Sequence, residues 1–241
     1  MIESYSSIIR LIMPPVDTKT RILDAAEQLF ARNGFSATSL RTVIAAAGVN
    51  LASVHYHFGS KEGLIEAVFA RRVGPLNERR LALLDQERAR RRGRPVPVER
   101  IVFTLVYPVV ELATGDQATS TRLMALFGRI HSEPDEGVRL LLFKQFDVVR
   151  TRYVEELARA LPQLDRRELA IRFQFSVGAM AAAFADPARV SYFTQGLVAP
   201  EDKEQVAAYL VTFLSAGLSA RPTRTAGSQK EKRAARSAGR N

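Results

Sequence analysis

The residues most used for metal binding and nucleophilic chemistry are scarce in this chain, which has three histidines (His55, His57 and His131) and no cysteine. His55 and His57 stand two apart and do not make the i, i+4 pair of a helical zinc site. Without cysteine there is no disulfide, thiolate nucleophile or sulfur-ligated metal. Neither a glycine-rich phosphate loop nor a serine nucleophile elbow occurs. We therefore expect no enzyme activity, no metal and no cofactor. The chemistry on offer is hydrogen bonding, charge and apolar contact, concentrated in AAAGVNLASVHYHFGSKEGLI, residues 45–65. Here Leu51, Ala52, Ser53, His55, Tyr56, His57 and Lys61 follow one another closely, with Arg41 just upstream.

Such residues need a scaffold, and the flanking sequence supplies one. Ile22, Ala25, Ala26, Leu29 and Phe30 form one face of a helix over about Thr18–Arg32, with Asp17 or Thr18 at its start and Asn33-Gly34 at its end. Thr38 or Ser39 caps a short helix, LRTVIAAA, closed by Gly48, and a third short helix follows over about Leu51–Tyr56. Val43, Val49 and Val54 are spaced to bury against Leu29 and Phe30, and Gly48 sits in the tight connection. The pattern is a helix-turn-helix whose last helix is short enough to enter a major groove. Burial alone does not separate that use from a plain packing motif.

The whole chain reads as all-α. Its 241 residues, 46% hydrophobic and 25% charged, have the composition of a folded domain. Apolar residues recur at helical spacing over about 98–113, 117–132, 136–161, 165–185 and 202–219. The clearest stripe is Val138, Leu142, Phe146, Val149, Tyr153, Leu157 and Leu161, read as one helix. Ser60 caps a longer stretch in which Gly74-Pro75 predicts a kink or break near Val73. We divide the chain into a disordered arm at 1–16, a helix-turn-helix domain at 17–65, a larger helical domain at 66–220 and a disordered basic tail at 221–241. The net charge is +10, and residues 71–94 and 221–241 each carry +6 of it. That balance suits a polyanionic partner, although the run RARRRGR and the tail are expected to add only salt-sensitive, nonspecific DNA affinity. The N-terminus lacks the basic start of a signal peptide, and no apolar run reaches membrane-spanning length, so the expected location is the cytoplasm.

Residues 20–65, with ILDAAEQLF, the NGF turn, AGV and HFGSKEGLI, closely resemble the TetR family of bacterial transcriptional regulators. The resemblance implies a three-helix DNA-binding domain followed by a helical domain that binds a small effector and dimerises. It also implies roles. Arg41 matches a position that reaches bases. Leu51, Ala52 and Ser53 match the base-facing start of the recognition helix, where apolar groups can meet a thymine methyl. Tyr56 and His57 match phosphate-contacting positions, and Lys61 matches the lysine that begins the fourth helix, near a phosphate. His55 departs from the tyrosine common at its position, so its phosphate contact is not simply carried over. Neutral, it can donate one hydrogen bond, and protonation would add a charge and a weak pH dependence.

Residues 49–87 further resemble the fatty-acid-responsive subgroup, which implies a long-chain fatty acid or acyl-CoA as effector and a repressor released from a palindromic operator. Phe103, Tyr107, Arg122, Phe127, His131, Phe173 and Met180 are the candidate effector residues, with Arg172 a further cation near a pocket; an ordinary core and surface ion pairs are the competing readings. VGAMAAAFA at 177–185 and the stripe Val206, Leu210, Phe213 and Leu214 are the expected homodimer interface. The alternative function is an adaptor that uses this fold to bind a protein partner. His55 and the near-neutral charge of 17–65 favour it.

Overall fold

The computed structural model describes residues 17–113 and 117–223; among them every regular element is a helix. The first helix, α1 (Thr18–Asn33), buries Ile22, Ala26 and Phe30, one turn apart each, along one edge. Gly34 ends it at φ 89°, and the buried Phe35 folds back to bring its ring centroid 5.4 Å from that of Phe30. Truncating Phe30 to alanine would cost about 3–5 kcal/mol. Asp17 makes no side-chain cap. At α2 (Leu40–Ala47) the cap is Ser39, whose Oγ accepts from Thr42 N–H at 3.1 Å, while Thr38 is buried and donates to the Gly34 carbonyl at 2.8 Å.

The α2–α3 connection is held from below. Gly48 is left-handed, with φ 61° and ψ 44°, and a Cβ there would lie 3.1 Å from Arg21 Nη2. That guanidinium donates to the Ala47 and Gly48 carbonyls, at 2.7 and 3.0 Å, fastening the turn to α1. Asn50 then starts α3 (Leu51–Phe58), and Ser60 starts α4 (Lys61–Arg90). The α3–α4 corner depends on Gly63, where a Cβ would stand 2.2 Å from the Phe58 carbonyl oxygen.

The expected break at Gly74-Pro75 is absent: α4 runs unbroken through Pro75 for 30 residues. The helix tolerates one missing hydrogen bond because packing on both sides of it fixes its course: Leu64, Ile65, Val68, Phe69 and Val73 lie in the core of the N-terminal helices, and Leu76 and Leu84 lie in the second core. The first core also recruits Leu126, Ile130, Val138 and Leu142 from later elements, so it continues beyond residue 65.

The second core is built by α4 with α5 (Val98–Ala113), α6 (Gln117–Ser132), α8 (Asp147–Ala160), α9 (Arg166–Phe184) and α11 (Lys203–Ser219), while α7 (Glu136–Lys144) packs in the first core and the short α10 (Pro187–Phe193) buries no residue. The single helix expected over 136–161 is two, separated at Gln145-Phe146. Its apolar period is continuous, but Asn77 of α4 donates to the Gln145 carbonyl at 2.8 Å, and Phe146 turns in against Phe69 and Phe127. A tertiary hydrogen bond thus overrides a local pattern. The short α10 was not anticipated. The stripe assigned to dimerisation also divides: Leu210 and Leu214 are buried within the chain, where α11 packs on α5, whereas Phe213 is 69% exposed.

Candidate nucleic-acid interface

Burial of Val54, Val43 and Ala47 turns the opposite side of α3 outward. Leu51, Ala52, His55 and Tyr56 form that outer surface, with Leu51 half exposed and Tyr56 86% exposed. An exposed leucine and tyrosine on a two-turn helix are not needed for packing, so they are free for a partner. Arg41 is exposed on α2. Val49, the third expected anchor, is only partly buried.

The polar groups are oriented. Asn50 Oδ1 accepts from both the backbone N–H and the hydroxyl of Ser53, at 2.9 and 3.0 Å. The Ser53 proton is thereby used, and its oxygen faces a partner as an acceptor. Asn50 was missed at the sequence level, although an asparagine one residue before an apolar helix start is a cap signal. His55 Nδ1 lies 2.7 Å from the Gly59 carbonyl. A carbonyl only accepts, so Nδ1 carries the proton and neutral His55 presents a bare Nε2 lone pair. Protonation converts that nitrogen into a cationic donor. The expectation that neutral His55 has a hydrogen bond to spare is therefore corrected: Gly59 takes it. The His57 ring stands edge-on to Tyr56, with centroids 5.0 Å apart, and Phe58 joins the core side.

Lys61, in the first turn of α4, donates from Nζ to the Ser36 carbonyl at 3.0 Å. Its charge is thus held between the α1–α2 loop and the N-terminus of α4, where Ser60 Oγ accepts from Gly63 N–H at 3.1 Å. Two N–H donors of the ammonium remain for an anion.

A polar belt ties these helices to the larger domain. Glu27 of α1 is fully buried between Arg71 and Arg72 of α4, and Arg72 grips it through two bonds of 2.9 and 2.8 Å. Arg122 of α6 lies 3.8 Å away. Arg129 of α6 donates to the Ala31 and Arg32 carbonyls, placing a cation on the C-terminus of α1. This belt was not anticipated; its signal was a glutamate inside the apolar face of α1.

The candidate effector residues are dispersed. Phe103 and Tyr107 stack at 4.9 Å on α5, with Arg100 4.8 Å above Phe103. Phe127 joins Phe69 and Phe146, Phe173 is buried in the second core, and Met180 Sδ accepts from Arg80 at 3.6 Å. Arg122 stands at Glu27, on the DNA-binding side. The His131 side chain lies outside the described residues. Arg172 is used elsewhere: it binds the Gly217, Leu218 and Ala220 carbonyls at the end of α11. No cluster of metal-ligating side chains occurs among the described residues, and no helix of those residues is long and apolar enough to cross a membrane.

Comparison with known proteins agrees with this geometry. Residues 22–68 match the model of bacterial regulatory proteins of the tetR family, and residues 104–217 match a tetracyclin repressor-like C-terminal domain. The HTH-type transcriptional regulator UidR of Escherichia coli K12 is 30% identical over 191 residues, covering 75% of this chain and 89% of its own. The HTH-type transcriptional repressor KstR2 of Rhodococcus jostii is 37% identical over 62 residues, covering 23% of this chain and 30% of its own. A Bacillus subtilis transcriptional regulator FadR, solved in complex with stearoyl-CoA, shares the fold with a TM-score of 0.61 at 15% identity, over 82% of this chain and 98% of that one. The adaptor alternative finds no support among these relatives. The chain belongs to the tetR family and is a DNA-binding transcriptional regulator, not an enzyme.

Proposed function

We propose that the protein is a cytoplasmic homodimeric repressor that leaves a palindromic operator when a hydrophobic effector, of the long-chain fatty acid or acyl-CoA class, binds its larger domain. The observation that carries the DNA half is the outward surface of α3, Leu51, Ala52, His55 and Tyr56, flanked by Arg41 and Lys61. Leu51 and Ala52 suit thymine methyls. Ser53, its proton used by Asn50, suits the amino groups of cytosine or adenine. Lys61, His57 and Tyr56 serve phosphates, which fix register without reading sequence. With so few donors facing the groove, part of the specificity falls to DNA shape.

Dimerisation is supported by apolar side chains that one chain leaves uncovered: Ile171 and Phe175 on α9, and Tyr209 and Phe213 on α11. Two recognition helices bound to one face of DNA must stand about 34–36 Å apart. The effector acts by favouring a dimer with a different spacing, through a coupling of about 1–3 kcal/mol. Phe103, Tyr107, Arg122, Phe127, His131, Phe173 and Met180 remain the effector candidates, and the stearoyl-CoA complex of FadR supports the lipid class.

The test is footprinting on DNA upstream of the protein's own gene, at fixed salt, with and without oleate or oleoyl-CoA. A palindromic footprint released by lipid is the expected result. A footprint indifferent to lipid would discard the effector class. Absence of any specific footprint, or one unchanged by Arg41→Glu with Lys61→Glu, would discard the operator reading.

A further inference from the structure

The second core contains one ion with no counter-ion. Arg80 of α4 is 3% exposed, and among the described residues its guanidinium hydrogen-bonds neutral groups: the Leu105 carbonyl at 3.0 Å, Asn77 Oδ1 at 3.4 Å and the Met180 thioether at 3.6 Å. No carboxylate pairs with it among the described residues. Five N–H groups in a fixed fork have here one good acceptor, one distant one and a sulfur.

Most other buried ions among the described residues are paired, the exception being Glu133, which the Ser36 N–H and hydroxyl and the Asp135 N–H hold. Glu27 has Arg71 and Arg72, Glu87 has Arg90 and Arg100, and Glu156 has Arg159. Arg80 stays cationic at neutral pH: burial lowers its pKa only to about 10. The nearby Tyr153 phenol supplies no charge, because burial raises its pKa to about 12; its hydroxyl donates to the Arg80 backbone carbonyl at 3.1 Å. Asn77 cannot turn away, since its amide nitrogen is committed to the Gln145 carbonyl. A buried charge without a counter-ion is costly even when each of its nitrogens has an acceptor, and an apolar side chain of similar volume would pack here at less cost.

We infer that Arg80 is the anion-recognising residue of the effector site, and that the effector carries a carboxylate on an apolar body. The inference rests on the reading that this domain binds an organic effector, and it narrows that class to free acids over their alcohols or thioesters. The carboxylate takes two parallel N–H donors of the guanidinium. Met180, unbranched, partly exposed and bonded through a weak acceptor, is the contact it replaces. The apolar body lies in the second core around Leu105 and Phe173.

The experiment is thermal unfolding of the full chain and of Arg80→Met, alone and with submicellar oleate, octanoate, oleyl alcohol or octanol. Three results are expected. Arg80→Met alone melts no lower than wild type, because it removes an unpaired charge. At least one acid raises the wild-type Tm above the effect of its alcohol. Arg80→Met loses that preference, binding the acid about tenfold or more weakly. The inference is overturned if Arg80→Met melts well below wild type, which would make the guanidinium a structural donor, if acid and alcohol act alike on wild type, if neither acid acts, or if the variant keeps the preference. Response to octanoate and not oleate would keep the anion site while ending the long-chain reading. Equal response to oleate and oleyl alcohol would do the reverse.

Discussion

Glu133, just beyond α6, accepts from both the backbone N–H and the hydroxyl of Ser36, so one carboxylate of the larger domain holds the loop between α1 and α2. Ser36 in turn offers its carbonyl to Lys61. The lysine proposed to meet a phosphate is therefore two hydrogen bonds from the end of α6. With Arg129 on the C-terminus of α1 and Glu27 among arginines of α4, the N-terminal helices are mounted on the larger domain by charge-assisted bonds.

Glu133→Ala should loosen that mounting while leaving α3 intact. Operator affinity falls modestly, by about 1–2 kcal/mol, because Lys61 loses the loop that positions it. The effector concentration needed for half release changes by more. An operator titration with and without effector checks this, and a dose response equal to wild type would show that Glu133 takes no part in coupling.

Gly63→Ala should be among the most damaging single-methyl changes. Its Cβ would stand 2.2 Å from the Phe58 carbonyl oxygen, a backbone atom that cannot move without shifting α3 relative to α4. We expect a loss of about 1–3 kcal/mol in stability and a larger loss in operator binding. Denaturant unfolding and anisotropy titration measure the two separately.

Much of this architecture was legible in the sequence because local signals and tertiary packing agree. Ser39, Ser60, Gly34 and Gly48 mark helix ends where they were expected, and Val43 and Val54 are buried. The failures share one physical cause. At Gln145 a hydrogen bond from Asn77 ends a helix whose apolar stripe continues, and at Pro75 packing carries a helix past a residue that would stop an isolated one. The same limit hid Arg80. A run of arginines on one helix reads as a solvated surface until its register shows that Val73, Leu76, Arg80, Leu84 and Glu87 share the buried side.

His55 should contribute to operator binding through a ring whose orientation is fixed. Its Nδ1 is used on the Gly59 carbonyl, so Nε2 is the atom left to meet the DNA. His55→Phe should lower operator affinity by about fivefold, the size of one lost hydrogen bond, with His57→Gln as the control for the second imidazole. An affinity equal to wild type would remove His55 from the interface.

Glu87 gives the fold a pH-dependent stability. It is 6% exposed at the end of α4, bonded to Arg100 at 2.5 Å and Arg90 at 3.0 Å. The Arg100 hydrogen bond, with the charges of both arginines, holds its carboxyl below the usual glutamate range. A carboxyl whose folded pKa is depressed stabilises the fold above its unfolded value and loses that contribution as pH falls through the folded one. Glu87→Gln should therefore cost about 1–2 kcal/mol at neutral pH, with the gap to wild type closing below about pH 4. Urea unfolding of both proteins from pH 7 down to pH 3 measures the gap. If it stayed constant across that range, the ion pair would contribute through shape and hydrogen bonding alone, and the charge on Glu87 would be immaterial to the joint between α4 and α5.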